Sequence, residues 1–191
     1  MIKLNIPISE EDIRKLKVGD EVFLSGIIVT ARDQAHKLMV EQKPDFIRDF
    51  LNESVIYHCG PVVRKDKDGT WSFVSAGPTT SIREEPYQAD VICEYHLRGV
   101  IGKGGMGEKT SQGLQKCGAV YFHAVGGAGT LIANAVKKVI NVFKLDEFGS
   151  PEAFWVIEVK DFPLIVTMDS HGASIHKEIL EKSKKIAREI S

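Results

Sequence analysis

Short β-type runs alternate with helix-type runs in the second half of the chain, and this alternation strongly constrains the fold. From residue 88 to residue 139 the sequence reads as helix, strand, helix, strand and helix, in the order QADVICEYHL, RGVIG, EKTSQGLQKC, AVYFHAV and AGTLIANAVKKV. Such alternation is typical of strands joined by helical crossovers, which pack helices against the face of a sheet. AFWVIEVK and LIVTM return to strand, and residues 173–191 have an amphipathic helical pattern. The sequence therefore predicts an α/β fold.

The first half is predicted to begin with a short helix and to contain a β-hairpin. Ser9 followed by Asp12 is a capping signal for a helix over IRKLK. EVFLSGIIVTA is predicted to be a strand, whereas ARDQAHKLMVEQ and PDFIRDFL have helical spacing. SVIYHCGPVVRK and WSFVSAG are predicted to pair in antiparallel fashion around Asp68-Gly69. Because no linker rich in Pro, Gly or Ser interrupts the chain, we expect residues 1–191 to form a single domain.

Composition excludes several classes of partner. A formal net charge of −1 gives no field that would gather nucleic acid, so we expect none as a partner. The first residues, MIKLNIPISEEDI, contain no apolar signal core, and no later run is long enough to span a bilayer. We therefore expect a cytoplasmic protein without a membrane partner. A homo-oligomer is compatible with the sequence.

Three cysteines, Cys59, Cys93 and Cys117, lie far apart and form no C-x-x-C pair. Three thiolates can hold a [4Fe–4S] cluster that leaves one iron open, so their number alone permits a cluster. Cys93, however, lies within the apolar stretch ADVICEYHL, and free cysteine commonly behaves as a small buried hydrophobe. We therefore predict buried thiols, with neither a disulfide framework nor a metal site in this chain.

The segment IGKGGMG places four glycines around one lysine, Lys103. It satisfies G-x-G-x-x-G, but no carboxylate follows about twenty residues later to bind a ribose, so a dinucleotide site is disfavoured. Tight turns account for the glycines. They leave the lysine unexplained, and a small anion could reach both its ammonium group and a neighbouring backbone N–H such as that of Gly104. The simplest such ligand is a carboxylate.

Other charged and hydroxyl side chains follow strand-like runs. Arg32 and His36 occur in the segment RDQAH, and GPTTSIR supplies Thr79 and Arg83. A solvated helix start and a helix cap are the structural alternatives for these two segments. Because Arg32, Arg83 and Lys103 each follow a strand-like run, one sheet could bring three cations to a common edge that suits a dicarboxylate.

Two further motifs have structural explanations. The loop GGAGT enters a predicted helix, so it could bind an anion or only allow close packing between strand and helix. Asp169, Ser170 and His171 are consecutive in MDSHG, and consecutive residues on an extended strand point to opposite faces. We therefore predict a turn with Gly172 in a left-handed conformation, and not a hydrolase triad.

Five motifs in this order, TARDQAHK, GPTTSIR, IGKGGMG, GGAGTLIA and LIVTMDSHG, resemble one family. It is the β-type subunit, or C-terminal domain, of the iron–sulfur class I fumarases and L-tartrate dehydratases, and the similarity runs from Leu4 through the DSHG turn. The resemblance implies a three-layer β/β/α swivelling domain with a mixed sheet. It also implies an α subunit that carries the [4Fe–4S] cluster, which acts as a Lewis acid on the substrate.

The resemblance further implies which residues form the site. Arg32, Arg83 and Lys103 would bind carboxylates, and Thr79 would lie near the carbon that loses its proton. The Thr79 hydroxyl is too weak an acid to lose its proton and act as the base unaided, so His36 is the other candidate base. The leading hypothesis is the β subunit of a fumarate hydratase that is active only with its α subunit. An L-tartrate dehydratase β subunit and a non-catalytic anion-binding module of the same fold are the alternatives.

Overall fold

The computed structural model describes residues 1–190, which form a mixed sheet, a separate hairpin and eight α-helices. The strands are Ile2–Asn5 (β1), Glu21–Thr30 (β2), Val55–Tyr57 (β3), Val62–Lys65 (β4), Trp71–Ser75 (β5), Gly99–Gly102 (β6), Val120–His123 (β7), Val136–Phe143 (β8) and Phe154–Met168 (β9). The helices are Glu10–Lys15 (α1), Asp33–Gln42 (α2), Arg48–Leu51 (α3), Glu85–Glu94 (α4), Glu108–Cys117 (α5), Gly129–Ala133 (α6), Leu145–Phe148 (α7) and Ile175–Ile190 (α8). Short 3-10 turns occupy Asp45–Ile47 and Ser81–Glu84.

The main sheet has seven strands in the order β1-β2-β3-β6-β7-β9-β8. Strands β1, β2, β3, β6 and β7 run parallel to one another, whereas β9 runs antiparallel to β7, β8 and β2. Since β9 pairs with both β7 and β2, five strands close into a ring. The predicted α/β fold with a mixed sheet is confirmed.

Alternate residues of the central strands enter two different cores. Ile28, Tyr57 and Ile101 lie in a core that the strands enclose with β1, α1 and the β4–β5 hairpin. Val29 and Val100 face the opposite way, into a second core beneath α2, α4 and α5. Strands buried on both faces explain why RGVIG and AVYFHAV are almost continuously apolar. The result is two β layers covered by one layer of helices.

Most of the predicted elements of the first half are confirmed. The Ser9 side chain accepts the Asp12 N–H at the start of α1. Strands β4 and β5 form the predicted antiparallel hairpin, with Gly69 at φ 86° in its turn. The prediction for SVIY was wrong, because Val55–Tyr57 joins the main sheet between β2 and β6 as a parallel strand.

The helix predicted over AGTLIANAVKKV was also wrong for most of its length. Helix α6 ends at Ala133, and Val136–Phe143 is strand β8. The cause lies in the neighbouring strand, because AFWVIEVK and LIVTM form one 15-residue strand, β9, whose first half pairs with β8. Val139 and Val142 pack against the enclosed core, so partners distant in sequence decide this segment.

Helix α8 closes the described chain as predicted, with no buried residue along its length. Ile179, Leu180 and Ile186 are exposed on it. Within residues 1–190, no helix combines the length and the apolar character that a membrane crossing would require.

The prediction of unpaired cysteines was wrong for two of the three. Cys93 on α4 and Cys117 at the end of α5 form a disulfide, with their Cα atoms 5.4 Å apart. The two helices pack side by side, so residues that lie 24 positions apart meet. Cys59 is a buried free thiol, and burial raises its pKa to about 12. Since cytosolic proteins rarely keep disulfides, a reducing compartment would hold Cys93 and Cys117 as neighbouring thiols.

Reduction of this disulfide should lower the stability of the isolated chain. Closing a loop across 24 residues restricts the unfolded chain, which corresponds to about 3 kcal/mol. Urea denaturation of the oxidised chain, with and without reductant, measures the difference. The Cys93→Ala/Cys117→Ala double variant is the control, because reductant should leave its midpoint unchanged. If adding reductant leaves the urea midpoint of the wild-type chain unchanged, the disulfide contributes nothing to its stability.

Candidate functional site

Two of the predicted site residues, Arg32 and Lys103, lie at the edge where neighbouring parallel strands end. Arg32 follows β2, His58 follows β3, and Lys103 follows β6. These three strands are consecutive in the sheet and parallel, so their carboxyl ends form one edge. In α/β proteins, ligands commonly bind outside the carboxyl ends of such strands.

Arg32 is the N-cap residue of α2, and its side chain is only 20% exposed. Its Nε lies 3.3 Å from Glu152 Oε1. Gly60 provides the space for the guanidinium, because a Cβ at Gly60 would lie 2.6 Å from Arg32 Nη1. A larger residue at position 60 would therefore displace the guanidinium from the edge.

Backbone hydrogen bonds join Thr79 to the same edge. Its N–H donates to His58 O at 2.7 Å, and the Lys103 N–H approaches Thr79 O at 3.4 Å. Two residues further on, the Ser81 N–H donates to Lys103 O at 3.1 Å. Thr79 is half-buried, and it lies between the end of β3 and the glycine loop. The structure thus brings Thr79 and Lys103 together.

Arg83 reaches the edge by a different route from the one expected. It lies in the 3-10 turn before α4, and the strand that precedes this turn, β5, belongs to the hairpin. Its guanidinium forms an ion pair with Asp33, the residue that follows Arg32. Asp33 therefore brings Arg83 next to the Arg32 segment.

Lys103 differs from the two arginines because it forms no ion pair with any carboxylate of residues 1–190. The residue is half-buried, and its stem lies beside Gly126, where a Cβ would be 3.6 Å from Lys103 Cδ. Gly104 is exposed with φ 81°, a conformation that glycine adopts without strain. A half-buried ammonium group without a protein counter-ion is suited to receiving an anionic ligand.

The N-terminus of α5 already has an internal carboxylate. Glu85 accepts the N–H groups of Gly107 at 2.7 Å and Thr110 at 3.1 Å, and also the Thr110 hydroxyl at 2.7 Å. In a dinucleotide-binding fold these donors would face a pyrophosphate. The glycine loop therefore leads into a helix whose anion position is filled by the chain itself.

His36 lies behind the edge, with no exposed side-chain surface. Its Nδ1 is 2.9 Å from Arg32 O, and its Nε2 is 3.0 Å from Gln88 Oε1. Burial lowers the pKa of His36 to about 4. In this geometry a proton could pass between His36 and a ligand only through other groups.

Sequence reasoning missed two residues of this buried cluster, His58 and Gln88. Gln88 Oε1 is also 2.7 Å from His58 Nε2, and His58 Nδ1 is 2.9 Å from Ser81 Oγ. Burial and the neighbouring His36 hold the pKa of His58 well below its ordinary value. Gln88 is separated from His36 by 52 residues and from His58 by 30, so no sequence spacing signals the contact.

Glu84 is a second residue that the sequence did not indicate. Its side chain is buried, and no hydrogen-bond donor reaches either carboxyl oxygen within residues 1–190. Burial and the adjacent Asp33 carboxylate raise the pKa of Glu84 to about 9. Burial opposes ionisation of Asp33 too, but a hydrogen bond donated by the protonated Glu84 and the charge of Arg83 keep the Asp33 pKa below its ordinary value. The carboxyl groups of Asp33 and Glu84 therefore share one proton, and Glu84 carries it.

The other loops agree with their structural interpretations. Gly129 packs closely on Gly77, where a Cβ would lie 3.1 Å from the Gly77 nitrogen, and the α6 that follows has five residues. Gly172 has φ 95°, as predicted. Asp169 Oδ1 accepts the N–H groups of His171 and Ala173, so it stabilises the turn.

The cysteines of this chain do not fit an iron–sulfur cluster. Cys93 and Cys117 are bonded to each other, and Cys59 is buried in the core enclosed by strands. Across residues 1–190, no group of three or more His, Cys, Asp or Glu side chains has the arrangement of a metal site.

Comparison with known proteins assigns the fold to a family. The model of the fumarase C-terminus family matches residues 1–179. The chain belongs to this family. The match includes the whole carboxyl edge and ends within α8, so the fumarase C-terminus fold accounts for every segment that carries a predicted site residue.

Individual relatives of this fumarase C-terminus chain differ in length. A putative fumarate hydratase class I of Geobacillus stearothermophilus is 54% identical over 183 residues, which cover 96% of the chain but 35% of the relative. A putative L(+)-tartrate dehydratase subunit beta of Methanocaldococcus jannaschii is 46% identical over 178 residues, covering 92% of the chain and 91% of the relative. The L(+)-tartrate dehydratase subunit beta of Escherichia coli K12 is 40% identical over 187 residues, covering 97% and 90%. The chain thus spans about a third of the first relative and nearly all of the other two.

Proposed function

We propose that this chain is the β subunit of a two-subunit hydro-lyase that reversibly hydrates fumarate to malate. The observation that carries the proposal is the common edge, where Arg32, Arg83 and Lys103, which has no carboxylate partner in the described chain, lie on adjoining segments. A dicarboxylate requires two or more cationic contacts, and this edge offers them beside the exposed backbone of Gly104. The names of the relatives, fumarate hydratase class I and tartrate dehydratase subunit beta, agree with such a substrate.

The proposed roles follow from the chemistry of dehydration. A proton leaves the carbon next to a carboxylate while the hydroxyl group departs, and negative charge develops on that carboxylate. Lys103 and the arginines bind the carboxylates and stabilise this charge. Backbone hydrogen bonds join Thr79 to His58 and Lys103, which supports placing its hydroxyl near the carbon that loses its proton. Because His36 is buried, we assign it a supporting role behind Arg32, and Thr79 remains the proposed proton-transfer residue.

The α subunit is proposed to complete the site. The resemblance implies that it holds a [4Fe–4S] cluster, which would polarise the departing hydroxyl group. Cys93 and Cys117 lie together where α4 meets α5, whereas Cys59 is buried in the core enclosed by strands, so the three thiols are not grouped, which supports ligands supplied by that partner. The fumarate hydratase class I relative, of which the match covers only 35%, has room for an α-type part in the same polypeptide. We further propose one domain over residues 1–191, supported by the family match, and a cytoplasmic location.

Tartrate is the second candidate substrate. The Methanocaldococcus jannaschii and Escherichia coli relatives, which match this chain over 91% and 90% of their own length, are both named as tartrate dehydratase β subunits, whereas the fumarate hydratase relative is a longer chain. Sequence identity favours fumarate, at 54% against 46% and 40%. A hydroxyl group on each central carbon of tartrate would need an additional polar partner in the site.

Anaerobic reconstitution with an α-type subunit tests the proposal. The full chain is mixed with that subunit, iron and sulfide are restored, and turnover of malate, fumarate and L(+)-tartrate is measured. We expect fumarate and malate turnover at least about tenfold above that of tartrate, and none from this chain alone. Faster tartrate turnover would establish the second candidate. If a complex with a fully loaded cluster turns over none of the three substrates, the enzyme proposal is contradicted. The non-catalytic anion-binding module would then be the remaining hypothesis.

A further inference from the structure

We infer that Gln88 is a positioning residue that donates both hydrogens of its amide to His36 Nε2 and His58 Nε2, and so holds both rings as neutral Nδ1–H tautomers. The inference deepens the proposed function, on which it rests, because these rings lie behind the segments that carry Arg32, Thr79 and Lys103. The observations that carry it are the contacts of one buried amide with two buried imidazoles.

The contacts of His36 fix the orientation of the amide. His36 Nδ1 faces the carbonyl oxygen of Arg32 at 2.9 Å, so this nitrogen must carry a hydrogen. In a neutral ring Nε2 is then an acceptor, and it requires a donor. With Gln88 Oε1 facing His36 Nε2 at 3.0 Å, two acceptors would meet, while Gln88 Nε2 is buried without a hydrogen-bond partner among residues 1–190. Exchanging the amide oxygen and nitrogen removes the conflict, and such exchanges are properly decided from the hydrogen-bond network.

The same exchange satisfies His58. Its Nε2 accepts the second amide hydrogen across 2.7 Å, and its Nδ1–H donates to Ser81 Oγ across 2.9 Å. Ser81 Oγ and the Tyr121 hydroxyl, 2.8 Å apart, complete the chain of hydrogen bonds. The cost is one buried amide oxygen without a described partner, in place of an amide nitrogen with two hydrogens. An under-satisfied carbonyl oxygen is the more common of the two in proteins.

This network ties together the backbone segments of the edge. Through His36 it contacts the Arg32 carbonyl, at the N-cap of α2. Through His58 it contacts Ser81, whose N–H donates to Lys103 O. His58 also accepts the Thr79 N–H at its own carbonyl oxygen. Rotation of either ring would therefore disturb the residues proposed to contact the substrate.

The alternative arrangement is a charged His36 paired with an ionised Glu84. Glu84 Oε2 lies 3.6 Å from His36 Nδ1, and the pair would contain the same number of protons. Asp33, Glu152 and Arg83 act on Glu84, and His58 and Asp33 act on His36, where Asp33 favours the protonated ring. Asp33 and Glu152 oppose a further negative charge on Glu84, and no hydrogen bond would stabilise that charge. These surroundings favour the neutral pair.

Nitrogen-15 NMR of the full chain at pH 7 tests the tautomers directly, without any turnover. We expect His36 and His58 to show one protonated Nδ1 and one bare Nε2 each, assigned with the single variants His36→Asn and His58→Asn. The Glu84→Gln variant should leave the His36 signals in the same state. Two protonated nitrogens on His36, or loss of one proton from it in Glu84→Gln, would establish the charged pair and overturn the inference.

Hydrogen exchange and turnover test the positioning role. A carboxylate cannot donate to the two rings, so Gln88→Glu should speed amide exchange of Thr79 and Ser81 at least about tenfold in the full chain. In the α–β complex it should lower kcat about 10- to 100-fold and shift its pH profile. Gln112→Glu, on the exposed side of α5, is the matched control and should change none of these. Unchanged exchange and an unchanged pH profile in Gln88→Glu would contradict the positioning role. A wild-type complex without turnover would contradict only the proposed function, since NMR and exchange need no partner.

Discussion

Replacement of Lys103 by alanine should lower kcat/KM of the α–β complex for its dicarboxylate about 100- to 1,000-fold. The two arginines of the edge each have a carboxylate neighbour, whereas Lys103 forms no ion pair with a carboxylate of the described chain. It is therefore the cation most available to a carboxylate that gains charge in the transition state. Removing one such preorganised donor typically costs two to three orders of magnitude in rate.

Steady-state kinetics of the Lys103→Ala complex measure this loss, and Lys116→Ala provides the matched control. Lys116 is exposed in the last turn of α5, away from the carboxyl edge, so its replacement should leave kcat/KM within about twofold. Circular dichroism and iron content would show that both variants fold and assemble. A Lys103→Ala complex with wild-type kcat/KM would mean that the substrate lies elsewhere.

Stability of the isolated chain should pass through a maximum near pH 6.5. His36, with its pKa lowered from 6.5 to about 4 by burial, stays neutral where the unfolded chain takes up a proton, so stability falls as the pH drops below 6.5. For His36 this loss amounts to about 3 kcal/mol by pH 4, and His58 adds to it. Glu84, with its pKa raised from 4.5 to about 9 by burial and Asp33, keeps a proton that the unfolded chain releases. Its contribution therefore falls as the pH rises, by about 4 kcal/mol between pH 5 and pH 8. Below pH 6.5 two histidines outweigh one glutamate, which places the maximum there.

Urea denaturation at several pH values, with the Glu84→Gln variant, checks this prediction. Glutamine resembles protonated glutamate but cannot ionise, so the variant should lose the decline above pH 6.5 and become more stable than the wild type at pH 8. Glu181→Gln, on the exposed α8, should follow the wild-type curve. If Glu84→Gln lowers stability at pH 8, the buried carboxyl group is ionised in the folded chain.

The fold could be predicted wherever local pattern and tertiary partners agree. The Ser9 cap and the strand–helix–strand order of β6, α5 and β7 depend on neighbours in sequence, and both were predicted. Residues 136–139, the first half of strand β8, were predicted as the end of a helix because their apolar residues fit either period. Pairing with the distant β9 decides in favour of a strand, and this pairing has no local signal. The prediction of unpaired cysteines failed for the same reason, since the disulfide depends on how α4 packs against α5.

The site was partly predictable because strand ends carry their following residues to one edge. That reasoning found Arg32 and Lys103 from the runs that precede them. It could not find Glu84 or Gln88, which lie in a 3-10 turn and a helix and matter because of buried partners far away in sequence. Polar residues that act behind a surface leave no periodic trace, so only coordinates reveal them.

The central claim is that one edge of the sheet binds a dicarboxylate through cations from separate segments. A crystal structure of the α–β complex with fumarate or malate bound tests it most directly. We expect one carboxylate within hydrogen-bond distance of Lys103 Nζ and the other carboxylate beside Arg32 or Arg83, with Thr79 facing the central carbons. A dicarboxylate that contacts none of the three cations would contradict the account.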